Sequence, residues 1–286
     1  MITSKTWYAR MSEDMRLRDF RPRTQEAYLQ AVSQLMARVG VEPMAITDEH
    51  IRAYFLYLRE DKKLAPSTIN VALHGIRFFF LHTLQRDWAV FDLLRCHKPR
   101  LLPVVLSRPE VHTVLQAVHH PVRRMALVTL YALGLRLNEG LSLETGDIDG
   151  GRLMVWIRNA KGARDRGVPL PRPLLARLRR SWKTERPASA TKFLFVADNT
   201  VAPVHDSTLQ KTFAAARAEI RLAKPATPHT LRHSYATHLH EAGVSLRTIQ
   251  QLLGHKSLRT TEVYMHLTQP GAEKLQEILD RLMADV

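Results

Sequence analysis

The sequence predicts a mainly helical protein with a small antiparallel β-sheet, an α+β fold divided into two domains. In the first hundred residues, apolar side chains recur at intervals of three and four, the spacing of amphipathic helices. Prolines interrupt this pattern near residue 100, and two short strand-like runs follow further along the chain. We therefore assign an all-helical N-terminal domain to residues 1–98, a linker to 99–106 and a second domain to 107–286.

Three helices are predicted in the N-terminal domain. The first spans 23–40, with Thr24 as a possible cap and Gly40 as its end. Thr47 can cap the second helix, and Pro66 can occupy the first turn of the third.

The second domain is predicted to begin with two helices. Ser107 and Glu110 have the spacing of a capping box, which marks the start of the first. The second spans 123–133 and is ended by Gly134.

A β-hairpin is predicted next. Residues 152–158 and 167–170 have strand character, and the polar segment 159–165 lies between them as a turn. A third short strand is expected at 193–197.

Helical spacing returns from Thr227, which can cap a helix that begins with proline and ends at Gly243. Another helix is predicted at 245–253. Gly254 follows it and suits a left-handed helix end.

The composition indicates a polyanionic partner and a reducing compartment. Lysine and arginine number 42 against 27 acidic residues, a formal charge of +15. Nucleic acid is the simplest partner for such a charge. Cys96 is the only cysteine, so an intramolecular disulfide is excluded, and no signal peptide or membrane span is recognisable. We expect a cytoplasmic, bacterial protein that associates with the nucleoid when it binds DNA.

The last sixty residues contain cationic groups and a phenol at a spacing that suits cleavage of a nucleic-acid backbone. His229 and Arg232 are three apart and share a helix face. His255 follows Gly254, and Tyr264 comes nine residues later. Cations can bind phosphate oxygens while a phenol holds the phosphate covalently. Taken singly, the same residues also fit a solvated basic face and a core aromatic.

Zinc binding is a competing interpretation. His229 and His233 are four apart, the spacing of a helical metal pair. However, Thr230 stands where the zincin motif has glutamate, and Arg232 would repel a divalent cation. We therefore expect no metal site.

Two further candidates precede this region. Arg136 lies among leucines, where its charge requires an anion or a carboxylate, and Glu139 could be that partner or could orient Arg136 toward a phosphate. Lys161 lies in the hairpin turn, where it is either a solvated charge or a proton donor to a leaving oxygen.

In this order, the motifs resemble those of the tyrosine recombinases, also called the phage integrase family. Arg136 stands in A-L-G-L-R-L-N-E-G-L-S-L and Lys161 in N-A-K-G-A-R-D-R-G-V-P-L. The later motifs are T-P-H-T-L-R-H-S-Y-A-T-H-L, L-L-G-H-K-S and T-T-E-V-Y-M-H. The resemblance covers about residues 107–270 and is strongest to compact Xer-like or transposon-borne members. The N-terminal helices look like the family's SAM-like core-binding domain.

The resemblance implies a site-specific recombinase that needs neither a cofactor, a metal nor ATP. The tyrosine would attack a DNA phosphodiester and leave a 3′-phosphotyrosine, two arginines would hold the phosphate, the histidines would assist, and the lysine would protonate the leaving 5′-oxygen. The implied catalytic residues are Arg136, Lys161, His229, Arg232, His255 and Tyr264, with Glu139 in support.

The resemblance also implies partners. The two domains would close around double-stranded DNA at specific recombination sites, and four protomers would assemble there. The expected DNA contacts are Lys62, Lys63, Arg77 and Arg164. The amphipathic C-terminal segment could pack on its own domain or on a neighbouring subunit. Asn138 could cap a helix.

Three alternative functions are compatible with the same sequence. A protein of the same fold could bind DNA without cutting it, although all six catalytic positions are filled. A metal-dependent nuclease would lose activity in EDTA. A type IB topoisomerase would share the chemistry but relax DNA without site preference.

Overall fold

The computed structural model describes residues 4–88, 90–93, 103–158, 165–185, 191–198, 201–254 and 272–284. The chain divides into two compact units, Met1–Leu101 and Leu102–Val286. The division falls inside the predicted linker, residues 99–106.

Helices make up the described part of the first unit. They are α1 Ser4–Arg16, α2 Pro22–Val39, α3 Asp48–Glu60, α4 Pro66–Phe78 and α5 Val90–Leu93. A π-helical segment, Phe79–Thr83, continues α4. The apolar faces of these helices form one core that is rich in aromatic side chains.

Most of the predicted helix ends in this unit are confirmed. Thr47 caps α3 by accepting a hydrogen bond from the His50 N–H, and Gly40 ends α2 at φ 71°. Thr24 is not a cap, so that prediction was wrong. Pro22 already occupies the first turn of α2, and its fixed φ suits that position.

The described part of the second unit contains eight α-helices. They are α6 Arg108–Gln116, α7 Pro121–Ala132, α8 Leu137–Leu141, α9 Arg172–Thr184, α10 Asp206–Glu219, α11 Pro228–Glu241, α12 Leu246–Leu253 and α13 Ala272–Ala284. Ser107 and Glu110 form the predicted capping box at α6. Thr227 precedes α11, and Gly254 ends α12 at φ 63°, both as predicted.

A three-stranded antiparallel sheet accompanies these helices, with the order β1 Ile148–Asp149, β2 Met154–Ile157 and β3 Arg166–Pro169. The predicted hairpin strands are therefore confirmed as β2 and β3. The strand expected at 193–197 was wrong, because that segment forms only isolated bridges. Leu194, Phe195 and Val196 are all buried, so the segment also lacks the alternation of a strand with one face in solvent.

Helix α7 organises the core of the second unit. Almost its entire length is buried, because apolar side chains occur on all its sides. Helices α9 and α11 both pack against it. The end of α7 and the start of α11 are thereby held at fixed positions, and three candidate catalytic residues, Arg136, His229 and Arg232, lie at these two places.

The C-terminal helix α13 packs on the unit to which it belongs. Leu279, Leu282 and Met283 are buried in the core of the second unit. The Asp280 carboxylate accepts a hydrogen bond from the Arg172 N–H at the start of α9, at 3.1 Å. Of the two packings left open by the sequence, the structure therefore shows the one within the same chain.

Across the described ranges, no helix is both long enough and apolar enough to cross a bilayer.

Candidate active site

The turn between α7 and α8 places Arg136 and Glu139 side by side. Gly134 has φ 59°, a left-handed conformation that turns the chain, and Arg136 then stands immediately before α8. Glu139, one turn later, accepts hydrogen bonds from the Arg136 backbone N–H at 3.0 Å and from its Nη1 at 2.6 Å. The carboxylate therefore fixes both the main chain and the side chain of Arg136.

Helix α11 brings Arg232 to the same place. Its Nη1 donates to the Gly134 carbonyl and its Nη2 to the Leu253 carbonyl, both at 2.7 Å. The Arg232 side chain is 3% exposed, and its Nη1 lies 3.8 Å from an oxygen of Glu139. Leu231, Tyr235 and Leu239 are buried and form the stripe of α11 that faces the core.

A third arginine, Arg166 at the start of β3, belongs to the same cluster and was missed by the sequence analysis. Its Nη2 donates to Glu139 at 2.7 Å and its Nε to the Leu252 carbonyl at 3.0 Å. One signal could have revealed it. Arg166 shares a strand face with Val168, two residues later, and an arginine on the buried face of a strand needs a carboxylate partner.

Glu139 is ionised in this setting. Burial raises the pKa of its carboxyl, but hydrogen bonds from Arg166 and from the Arg136 backbone, with the charge of Arg166, outweigh that effect and hold the pKa at about 2. One carboxylate therefore faces three guanidinium groups. The residual positive charge of this cluster suits an anionic phosphate.

His229 and His233 lie one turn apart at the start of α11. Their rings meet edge to face, with centroids 4.7 Å apart. His229 is exposed, yet partial desolvation and the charges of Arg232 and Arg136 lower its pKa. Burial, His229 and Arg232 together lower the pKa of His233 to about 4. Both rings are therefore mostly neutral near pH 7.

The zinc interpretation gains no further ligand. Among the residues that the structure describes, no group of three or more His, Cys, Asp or Glu side chains is arranged to hold a metal ion.

The remaining predicted site residues are either outside the described residues or in the first unit. Lys161, Arg164, His255 and Tyr264 are outside the described residues. The predicted DNA contacts of the first unit are exposed or paired at its surface. Lys62 and Lys63 follow α3 in a loop, and Arg77 on α4 lies 3.3 Å from Asp92.

The role given to Asn138 is wrong. Asn138 lies inside α8, and Arg136 occupies the position before the helix, so Asn138 caps nothing there.

Comparison with protein families places both parts of the sequence. The model described as "Phage integrase family" matches residues 105–270, and the one described as "Phage integrase, N-terminal SAM-like domain" matches residues 7–90. The chain therefore belongs to the phage integrase family, the tyrosine recombinases.

Relatives of known name agree. A protein of Sinorhizobium fredii named as an integrase/recombinase, y4qK, is 43% identical over 263 residues, which cover 90% of this chain and 83% of the relative. Tyrosine recombinase XerA of Thermococcus kodakarensis is 35% identical over 225 residues, covering 76% of this chain and 78% of XerA.

Solved structures share the fold. A crystal structure of XerA recombinase is 26% identical with a TM-score of 0.52 and covers 98% of both chains. A lambda integrase dimer bound to a COC′ core site is 19% identical with a TM-score of 0.74, covering 94% of this chain and 99% of the integrase fragment.

Proposed function

We propose that this protein cuts and rejoins double-stranded DNA at specific sites, with Tyr264 as the nucleophile. The observation that carries the proposal is the cluster in which Arg136, Arg166 and Arg232 surround the buried carboxylate of Glu139. Its donors are fixed before substrate binds, so little reorganisation is needed when negative charge develops on a phosphate.

The two arginines of the family motifs have different surroundings. Arg136 is 31% exposed and is the side chain of the pair that is more accessible to a phosphate. Arg232 is held by two main-chain carbonyls behind it. We assign both to the non-bridging oxygens, since a planar guanidinium meets phosphate with two parallel hydrogen bonds.

The proposed reaction is a phosphoester exchange. The Tyr264 oxygen forms a bond to phosphorus while the bond to the 5′-oxygen breaks, leaving a 3′-phosphotyrosine. The phenolic proton leaves with the help of His229 and His255, and Lys161 protonates the 5′-oxygen. A free phenol has a pKa of about 10, so nearby cations are needed to favour its ionised form. Attack by a 5′-hydroxyl reverses the exchange, so resealing requires neither ATP nor a metal.

The proposed partner is duplex DNA that carries two recombination sites, on which four protomers assemble. The formal charge of +15 supports a DNA partner. Among the structural neighbours, lambda integrase has been seen as a tetramer bound to a Holliday junction. We place the protein in the bacterial cytoplasm, at the nucleoid when it is bound to DNA.

The proposal is tested with a suicide duplex that carries a nick next to the cleavage position. Loss of the short product strand traps the covalent complex, which migrates as a protein–DNA adduct in a denaturing gel. Wild-type protein should form the adduct in EDTA, and Tyr264→Phe should bind the same DNA without forming it. Failure of the wild-type protein to form an adduct on a DNA site that it binds would contradict the proposal.

Two outcomes would favour other functions. Cleavage that EDTA abolishes would indicate a metal-dependent nuclease. A topoisomerase would be indicated if plasmids without a recombination site were relaxed as fast as plasmids that carry one.

A further inference from the structure

Three arginines from different elements meet at the C-terminus of α12. The last carbonyls of a helix lack partners within the helix and carry a partial negative charge, so they attract cations. Here three successive carbonyls each accept a guanidinium N–H. The bonds run from Arg166 Nε to Leu252 at 3.0 Å, from Arg232 Nη2 to Leu253 at 2.7 Å and from Arg136 Nη2 to Gly254 at 3.3 Å.

Arg166 differs from the other two in how it meets Glu139. Its Nη1 donates to one carboxylate oxygen at 3.1 Å and its Nη2 to the other at 2.7 Å. Arg136 reaches the carboxylate through one guanidinium nitrogen, and the nearest approach of Arg232 is 3.8 Å. Arg166 is therefore the guanidinium that spans both oxygens.

The contacts of Arg166 point inward. Its side chain is 11% exposed, and its hydrogen bonds run to Glu139 and to the end of α12. The Arg166 side chain also packs closely against the backbone of Gly254. A Cβ added at Gly254 would lie only 3.0 Å from the Arg166 Cδ. Arg166 therefore acts on the site through the groups it holds.

We infer that Arg166 is a positioning residue for DNA cleavage: it engages both oxygens of Glu139 and thereby keeps Arg232 on the carbonyls of Gly134 and Leu253. This inference rests on the proposed function. Among the described arginines, Arg232 has the longest ion pair with Glu139, at 3.8 Å. Without Arg166, Coulomb attraction would draw Arg232 closer to the carboxylate. Arg232 would then be displaced from its position in the site, and the carboxylate of Glu139 would partly neutralise its charge before a phosphate binds.

The first test is Arg166→Gln, measured as the rate of adduct formation on the suicide duplex at saturating protein. We expect a loss of about 100-fold in the rate, the order of magnitude found when one preorganised electrostatic group is removed from an active site. DNA affinity should change by less than about threefold, because Arg166 faces the protein interior. Arg166→Lys keeps the charge but cannot span both oxygens, so it should react at an intermediate rate.

The matched control is Arg158→Gln. Arg158 immediately follows β2 in the same sheet, and like Arg166 it pairs with a buried carboxylate, that of Asp147, at 2.7 Å. It makes none of the contacts around Glu139. Its loss should lower stability without slowing adduct formation at saturating protein, which separates positioning from a general effect on folding.

A double variant tests whether Arg166 acts through Glu139. If it does, Arg166→Gln combined with Glu139→Gln should react no more slowly than Glu139→Gln alone. The rate–pH profile gives a second readout. Removing Arg166 takes away hydrogen bonds that lower the pKa of Glu139, so the rate of Arg166→Gln should begin to fall at a higher pH on acidification than that of wild type.

Three results would overturn the inference. The first is a folded Arg166→Gln or Arg166→Lys variant that forms the adduct at the wild-type rate. The second is a double variant whose loss of rate equals the product of the two single losses, and the third is a rate of Arg166→Gln that falls on acidification at the same pH as that of wild type. Should Arg166→Gln fail to fold, Arg166→Lys carries the test. Absence of an adduct with wild-type protein would instead contradict the proposed function, so the two failures are distinguishable.

Discussion

At the scale of single residues, the buried carboxylate of Glu139 holds the site together. It is 8% exposed and lies among three arginines, of which Arg232 is the most deeply buried. Glu139→Gln keeps the shape but removes the negative charge, which leaves uncompensated positive charge in the interior. We expect a loss of about 3–5 kcal/mol in the free energy of unfolding, the cost of breaking a buried ion pair from one side. Urea denaturation measures this difference.

Glu219→Gln is the control for Glu139→Gln. Glu219 pairs with His119 at 3.0 Å, but both side chains are exposed, by 51% and 80%. Exposed ion pairs contribute about 0–1 kcal/mol. Equal unfolding midpoints for the two variants would show that Glu139 does not hold the cluster.

His233 makes stability depend on pH. Its pKa in the folded protein is about 4, against 6.5 for the unfolded chain, so the folded state disfavours its protonated form. The contribution is therefore full above about pH 6.5 and is lost as the pH falls toward 4, by about 2–3 kcal/mol. His233→Asn should flatten this part of the curve of unfolding free energy against pH. An unchanged curve would contradict the assignment, and His119→Asn serves as the exposed control.

The sequence could pair a site residue with its partner only where the two are close along the chain. Arg136 could be paired with Glu139 because the two are one helical turn apart. Arg166 was missed because its partners, Glu139 and the Leu252 carbonyl, are 27 and 86 residues away. The proximity of Arg232 to Glu139 likewise depends on the packing of α11 against α7, and sequence spacing does not determine that packing.

At the scale of elements, the turn at Gly134 connects α7 to the site. A Cβ added at Gly134 would lie 2.4 Å from the ring of Tyr235, which is fully buried and has little space to move. We expect Gly134→Ala to cost more than about 2 kcal/mol, from overpacking and from backbone strain at positive φ. It should also slow adduct formation, because the Gly134 carbonyl holds Arg232.

Gly243→Ala is the matched control for Gly134→Ala. Gly243 also has positive φ, at 87°, but nothing lies within 4 Å of an added Cβ. It should therefore lose about 1 kcal/mol from strain alone and keep the wild-type rate of adduct formation. Thermal unfolding and the suicide-substrate assay measure both effects. Equal losses of stability would rule out the contact with Tyr235 as the cause.

The elements that the sequence predicted are those specified by local signals. Capping residues such as Thr47 and Ser107, and glycines such as Gly254, act within one turn of chain, so their helix ends were recognisable. The segment at 193–197 has strand-like composition but pairs only at single residues, Phe193 with Glu144 and Val196 with Pro203. Strand pairing depends on a partner elsewhere in the chain, which composition does not reveal.

Helix α13 provides a second prediction at this scale. Leu279 is 1% exposed in the core of the second unit, so Leu279→Ala should destabilise the isolated protein by about 2–5 kcal/mol. Arg281→Ala, at an exposed position of the same helix, is the control. Denaturation should be measured at several protein concentrations. A concentration-dependent loss would indicate that α13 instead stabilises contacts between protomers.

At the scale of the whole molecule, positive charge extends over both parts of the sequence. Residues 1–106 carry 16 basic and 11 acidic side chains, and residues 107–286 carry 26 and 16. The candidate catalytic cluster lies in the second unit, so its chemistry does not require an excess of positive charge in residues 1–106. The excess in the N-terminal part therefore supports a second surface that binds phosphates independently of the chemistry.

The loop that carries Lys62 and Lys63 is the first place to test for that surface. If both ammonium groups contact phosphates, Lys62→Gln with Lys63→Gln should weaken DNA binding and reduce the slope of log K against log salt concentration by about 2, since each contact releases about one counterion. The loss should be similar on a recombination site and on unrelated DNA, because phosphate contacts carry no sequence information. Fluorescence anisotropy over a range of salt concentrations measures both slopes. An unchanged slope would remove this loop from the DNA interface, and a loss confined to the recombination site would show that the lysines contact bases.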